Sequence, residues 1–451
     1  MSLIQLPTMR PSKPLCKLWQ TKMLRVGWGL ALFCYAALSI WLLRHPPSIP
    51  TDDAFFFVNG TIRFSVLEFR PHFPGYPGFI ALSKLLYFAG LTAKQAVFYL
   101  TLCSALSLPP LSAWAARAHG ATPAGTLLAF AGVLTLPFLP LVSLSMMSDA
   151  TGIAFFLVVL ASMGRGHHGF AGAFAGLALA CRPSFLIPIG LSLLSEWCLK
   201  KEARFTLFVA MAATLFLFFG AVVLLEGESY FLEALRFTEG HFTVWGNTSF
   251  EQATKRDTWL DAATREPLAF ITLSLLICTA AYALFKKPQL TPLTIATLSA
   301  LLWTALAQNP ENLRHVLLPS ALLVIWLASL RARYANYALL IGVLLQLSLW
   351  SQFVLQPTLD SPLDRSIEFL EKQPNGLLVT NRGVYYLRNR LPKHQIKDAY
   401  YIDGEERLTI QTNSPAWKLT GSTEDIKWCE NNYSFGSRTL GERDLHIQSN
   451  C

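Results

Sequence analysis

Charge is scarce in this sequence. Only 14% of its 451 residues are Asp, Glu, Lys or Arg, where soluble chains carry roughly 25%, and that shortage excludes an ordinary water-soluble protein. No Cys or His spacing of the zinc-binding kind is present, so no zinc site is expected, and no cofactor is predicted. Repeats of roughly 20 to 50 residues and low-complexity tracts are missing too, which excludes solenoids and propellers. The N-terminus lacks a small-residue cleavage site after a short apolar core, so the first apolar segment reads as a retained anchor. The formal net charge of +9 does not imply a nucleic-acid partner. Its Lys and Arg residues stand in short clusters between apolar runs and never cover one long face.

What fills the chain instead is apolar. The hydrophobic share is 53% and the mean hydropathy +0.39, values of a polytopic membrane protein. A span needs roughly 20 apolar residues. Passes are read at about 24–43, 95–116, 122–144, 149–163, 203–226, 267–285, 291–309, 313–331 and 335–355. The segment 168–199 begins and ends at basic clusters, so it goes out and returns, turning at Arg182-Pro183. The expected fold is therefore all-α and polytopic, with about 11 transmembrane helices. Residues 76–89 are apolar but short and contain Lys84, and read as a re-entrant or interfacial helix.

Orientation follows from the basic residues. Arg10, Lys13, Lys17, Lys22 and Arg25 place the tail 1–23 in the cytoplasm. The domain 24–355 then exposes a first external loop at 44–94 and another at 227–266. After residue 356 the composition turns polar, and 356–451 reads as a small external α/β domain. In it, Asp360 or Ser361 caps a helix running to about 372 with Ile367 and Leu370 on its apolar face. Asn375-Gly376 turns into a strand at Leu377 to Thr380, with further strand-like runs near Val384 to Leu387, Ala399 to Ile402 and Leu408 to Thr412. Six of the eight cysteines lie in or beside the spans; Cys429 and Cys451 are in the external domain, where pairing stays open.

The candidate chemistry collects on the external side. Asp52 and Asp53 follow the first span directly and precede Ala54-Phe55-Phe56-Phe57. Adjacent carboxylates among aromatic rings at a membrane surface are costly to desolvate, so they need a cation, a donor or a catalytic use beyond capping a helix. Arg70 to Gly78, with three prolines, forms a rigid loop carrying His72 and Tyr76. Asp149 opens a span, where the helix dipole favours an acid. Arg182 at depth costs roughly 2.5 to 3.5 kcal/mol and should face an anionic partner or ligand. Arg314 and His315 stand at the outer start of a late span, where a lipid phosphate would lie. Gly172 and Gly176 fit close helix packing and need no functional role.

The order of these motifs resembles the GT-C membrane glycosyltransferases, which use polyprenyl-phosphate-linked sugars and include protein O-mannosyltransferases and lipid A aminoarabinose transferases. The resemblance is carried by Asp52-Asp53, by His-Phe-Pro-Gly-Tyr-Pro at 72–77, by Ser148-Asp149, by Gly-Leu-Ala-Leu-Ala-Cys-Arg-Pro at 176–183, and by Arg314-His315-Val-Leu-Leu-Pro. It spans about residues 20 to 355. It implies an inverting transfer of a sugar from a polyprenyl-phosphate-linked donor to a hydroxyl of a lipid, glycan or protein acceptor on the external face. Asp52 would be the general base, with Asp53 as neighbour and possible alternate. His72, Tyr76, Asp149, Arg182, Arg314 and His315 would bind substrate, the two arginines near the lipid phosphate. The family's metal dependence varies, and none is predicted here. A bacterial inner membrane, with a periplasmic C-terminal domain, is the expected location. The main alternative is a secondary transporter or flippase of a lipid-linked or small polar substrate, which would place acids near the midplane within paired inverted repeats.

Overall fold

The fold is seen in a computed structural model that describes residues 13–200, 204–240, 258–350, 352–354, 356–399, 416–421 and 431–449. Helix α1 (Lys13–Leu43) leads into the first loop, which carries α2 (Asp52–Ile62) and α3 (Pro77–Phe88). The chain continues through α4 (Ala93–Ala118), α5 (Pro123–Leu134), α6 (Leu139–Ser143), α7 (Asp149–Gly164), α8 (His168–Cys181), α9 (Leu186–Leu199) and α10 (Arg204–Glu226). Then come α11 (Ser229–Gly240), α12 (Trp259–Arg265), α13 (Pro267–Lys286), α14 (Pro292–Ala307), α15 (Leu317–Ser329) and α16 (Arg333–Trp350).

Four of the described helices are long and apolar enough to cross a bilayer: Thr21–Leu43 within α1, α4, Phe205–Glu226 within α10, and α13. Where the other passes are expected, the helices are shorter, mostly of 10–17 residues with 18 at α16, so the described helices of spanning length and apolarity number four against the 11 expected. Local chemistry explains part of the shortening. The segment expected as one pass at 122–144 breaks between Leu134 and Leu139 around Pro137, and the late segment 313–331 begins with a 3-10 turn at Leu313–Val316 before α15 starts. The expected turn at Arg182-Pro183 is present as a 3-10 turn, Pro183–Phe185, between α8 and α9. Helix α8 packs on α7 and α10, and α9 packs on α14. Gly172 makes the α8–α10 approach possible: a Cβ there would sit 2.0 Å from the Leu207 carbonyl oxygen.

The C-terminal part is α/β as expected. Ser361 caps α17 (Pro362–Leu370), its side chain accepting from the Asp364 amide at 3.1 Å, and Ile367 and Leu370 are fully buried. Strand β1 (Leu377–Thr380) pairs in parallel with β2 (Gln395–Asp398) and β3 (Ala416–Thr420). Strands β4 (Asn431–Phe435) and β5 (Leu445–Ser449) complete a mixed sheet in the order β2-β1-β3-β5-β4, joined antiparallel. One expectation fails: Val384 to Leu387 is helix, within α18 (Val384–Arg390), and not strand. The β-branched and aromatic residues favour extension, but Gly383 at φ +66° turns the chain sharply, and Val384 and Leu387 bury together at helical spacing. The strand-like run at 408–412 and all but Ala399 of that at 399–402, like Cys429 and Cys451, lie outside the described residues.

This domain sits on the end of the helical bundle where α1 finishes. Ser361 donates from its backbone to Ser48 Oγ at 2.9 Å and from its hydroxyl to the Ile49 carbonyl at 2.7 Å. Asp364 accepts from the Ile49 amide at 2.9 Å and pairs with Lys94 at 3.3 Å. Arg438, 5% exposed, reaches Ser48 Oγ at 2.8 Å while Glu442 holds its guanidinium at 2.6 Å.

Candidate active site

The site begins with a helix N-terminus. Thr51, extended at φ −152°, caps α2 by accepting from the Ala54 amide at 3.3 Å, which puts Asp52 and Asp53 in the first turn, where the dipole favours their charge. From there the two acids diverge. Asp52 Oδ1 accepts from the Tyr386 backbone N–H of α18 at 2.9 Å. Burial pushes its carboxyl up to about 6, partly offset by the backbone donors of Tyr386 and Tyr385. Asp53 turns toward the bundle, with Oδ2 at 3.7 Å from Arg314 Nη2 and Oδ1 at 3.9 Å from His72 Nδ1.

Beneath Asp53 lies a buried charge cluster. Asp149, 1% exposed at the first position of α7, pairs with Arg182 Nη2 at 3.0 Å, with Arg314 Nε at 3.7 Å and with His315 Nδ1 at 3.8 Å. Arg182 is itself 6% exposed. It reaches Asp149 because Gly152, one turn along α7, has no side chain: a Cβ there would lie 2.6 Å from Arg182 Cβ. Tyr76 completes the cluster, its ring 6.0 Å from the Arg182 guanidinium and its hydroxyl 3.1 Å from His72 Nε2. Burial raises the Tyr76 hydroxyl above its ordinary value, so it remains a neutral hydrogen-bonding group.

Eight residues singled out in the sequence are thus brought together or sorted by the structure. Asp53, His72, Tyr76, Asp149, Arg182, Arg314 and His315 form one connected group, while Asp52 joins it only through its neighbour and otherwise faces α18. The cluster is not fully satisfied internally. Asp149 Oδ2 and the Nε atoms of Arg182 and Arg314 are buried without hydrogen-bond partners. Buried polar atoms of this kind are expensive: Asp149 Oδ2 and Arg314 Nε face each other at 3.7 Å, and Arg182 Nε is left as a donor that an anion could take. Among the described residues no group of three or more His, Cys, Asp and Glu could hold a metal ion.

Sequence reasoning missed the contributions of the C-terminal domain. Tyr386 meets Asp52 across 334 positions, and Arg382 pairs with Glu311, three residues before Arg314, at 3.4 Å. Neither has a spacing signal. Backbone strain marks the site as well: of the four non-glycine residues with positive φ among the described residues, Tyr76 (+46°) lies within the cluster and Met146 (+54°) lies three residues before Asp149.

No protein-family model matches the chain, and no curated protein does. Among solved structures, the chain is similar to the crystal structure of ArnT from Cupriavidus metallidurans bound to undecaprenyl phosphate, with 13% identity over 94% of this chain and 98% of that one and a TM-score of 0.52. The crystal structure of the same protein in the apo state matches over 95% and 98% with 13% identity and a TM-score of 0.46. At such identity the likeness is one of fold, and the chain therefore has the fold of the ArnT structure.

Proposed function

We propose that this protein is an integral-membrane glycosyltransferase that moves a sugar from a polyprenyl-phosphate-linked donor to a hydroxyl acceptor on the external face, inverting the anomeric centre. The observation that carries the reading is the position of the Asp53 carboxylate, 3.7 Å from Arg314, beside a buried Arg182–Asp149–Arg314 cluster in which Arg182 Nε has no hydrogen-bond partner. The undecaprenyl phosphate in the ArnT crystal structure supports a lipid-phosphate donor.

The chemistry follows from charge. An acceptor hydroxyl is a weak nucleophile at neutral pH, so a carboxylate must take its proton as oxygen bonds to the anomeric carbon. Asp53 is the better candidate for that base, because Asp52 already spends an oxygen on the Tyr386 N–H. The bond from the anomeric carbon to the phosphate oxygen breaks with its electron pair leaving on the phosphate. Arg182 and Arg314 stabilise that charge through hydrogen bonds that strengthen as it grows. Asp149 holds both guanidiniums in place between turnovers. His72 and Tyr76, hydrogen-bonded to each other, border the carboxylate and orient the sugar. The basic N-terminal segment supports a cytoplasmic start and, with it, a location of this face on the external side, the periplasm if the membrane is a bacterial inner membrane.

The test is direct. Purified protein given a labelled polyprenyl-phosphate sugar should release polyprenyl phosphate in the presence of an acceptor. Movement of the intact labelled donor across a vesicle bilayer, without cleavage, would overturn the reading.

A further inference from the structure

The Asp53 carboxylate is not fixed by the two contacts that tie it to the cluster. It lies 3.7 Å from Arg314 and 3.9 Å from His72, both longer than hydrogen bonds, and its side chain is 39% exposed. A base that takes a proton during bond formation has to hold one direction, so the orientation of Asp53 must be set from elsewhere. Asp52 is the nearest fixed point. Consecutive residues of a helix stand about 100° apart around its axis, so a tie on Asp52 sets the bearing of Asp53.

That tie comes from the C-terminal domain. Helix α18 follows Gly383 and has no side-chain cap of its own, which leaves the N–H groups of its first turn in need of an acceptor. Asp52 supplies one from α2: its Oδ1 accepts from the Tyr386 N–H at 2.9 Å, and the Tyr385 N–H also favours the charged carboxylate. Helix α18 is held in turn by Asp364. The Tyr386 hydroxyl donates to Asp364 Oδ1 at 2.6 Å and accepts from Arg390 at 3.1 Å, and Arg390 pairs with Glu371 at 2.9 Å. The other oxygen of Asp364 accepts from the Ile49 amide at 2.9 Å, three residues before Asp52, and pairs with Lys94 at 3.3 Å. These contacts close a ring through Ile49, Asp364, Tyr386 and Asp52, whose last side is the chain from 49 to 52 itself. Asp364 and Tyr386 are both buried, and neither belongs to the cluster around Asp149.

We infer that Asp364 and Tyr386 are positioning residues for the transfer: by keeping Asp52 on the end of α18 they hold Asp53 turned toward Arg314, and the C-terminal domain is thereby a working part of the active site. The inference rests on the transferase reading with Asp53 as its base. Its physical content is that the domain acts on the rate through one path, from Asp364 through the Tyr386 hydroxyl and N–H to Asp52, and not only through its grip on the bundle. The same path predicts which step suffers. Proton removal by Asp53 is slowed when the path is cut, whereas the arginines that meet the lipid phosphate keep their places.

The test uses Tyr386→Phe in the full-length protein in detergent, because this change keeps the ring and the backbone N–H and removes only the hydroxyl bonds to Asp364 and Arg390. It should lower kcat for sugar transfer about 3- to 10-fold and leave the donor KM unchanged. Asp52→Ala takes the acceptor away and should lose at least as much, while Asp52→Asn keeps a carbonyl oxygen for the Tyr386 N–H and should recover most of that loss. Tyr386→Phe combined with Asp52→Ala should be no slower than Asp52→Ala alone, because both cut the same path; independent structural defects would multiply. Hydrogen exchange over residues 384–390, read by mass spectrometry, measures the tie without turnover: it should quicken in Tyr386→Phe and in Asp52→Ala and match the parent in Asp53→Asn. Unchanged kcat in Tyr386→Phe, losses that multiply in the double variant, an effect confined to the donor KM, or unchanged exchange would each overturn the inference. A parent that shows the expected exchange pattern but transfers no sugar would keep the tie and sink the transferase reading, whereas transfer with exchange indifferent to both variants would do the reverse.

Discussion

Neutralising the two first-loop acids one at a time separates their roles, because the structure gives them opposite costs. Asp52 has its carboxyl raised from 3.8 to about 6 by burial. At 1.36 kcal/mol per pKa unit, holding it ionised at neutral pH opposes folding by at most about 3 kcal/mol. Asp52→Asn keeps a carbonyl oxygen for the Tyr386 N–H and removes that charge, so its thermal unfolding midpoint at pH 7 should equal or exceed the parent's. The sign is fixed by the direction of the shift. A carboxyl that binds its proton more tightly in the folded state contributes stability that is fully present below about pH 4 and is lost as the pH rises through about 6. The Asn variant should lack that decline. Asp53, with a side chain 39% exposed, should tolerate Asn with little change in stability, but loss of a general base removes roughly 10²- to 10⁴-fold of kcat. That is about 3 to 5.5 kcal/mol of barrier. Release of polyprenyl phosphate from a labelled donor, read beside the unfolding midpoint, measures both. If Asp52→Asn were inactive while Asp53→Asn turned over normally, the division of labour argued here would be reversed.

Three further outcomes follow from the buried cluster and the docked domain. Arg182→Ala leaves Asp149 buried without its nearest cation and should lower stability by about 3 to 5 kcal/mol, while the double change with Asp149→Asn should regain much of the midpoint but no transfer. Gly152→Val places side-chain atoms where Arg182 Cβ already lies and should weaken donor use, seen as a raised donor KM in variants that still insert and fold. Arg438→Ala removes the bonds to Ser48 Oγ and Glu442, and limited proteolysis should then cut the joint between α16 and α17 faster than in the parent; unchanged cleavage would mean that Arg438 does not hold the domain.

Much of the cluster was legible in the sequence for one reason: in a chain this apolar, each charge near a span carries a desolvation cost, and residues such as Asp149, Arg182 and Arg314 declare themselves by being there. The helix at Ser361 and the strand after Asn375-Gly376 were legible through capping and turn chemistry. What stayed hidden depends on contacts between distant segments. Nothing near Asp52 shows that Tyr386 will claim one of its oxygens, so sequence alone cannot divide the work between two adjacent acids. The run at Val384 to Leu387 misleads for the opposite reason, since its residue types favour a strand and a single left-handed glycine before it decides otherwise. Span lengths were overestimated at 122–144, where hydropathy averages across a break that Pro137 makes visible only in three dimensions.

The bond between Asp52 and Tyr386 joins segments 334 positions apart. At ribosomal speeds of roughly 5 to 20 residues per second, the later segment emerges on the order of 20 to 70 s after the earlier one. Through that interval the nascent first loop has been inserted without the partner that settles the orientation of its acids. A newly made chain should therefore gain competence only after the segment that holds Tyr386 has emerged, and any quality-control factor that shields unpaired carboxylates at the bilayer surface would find its client in that window.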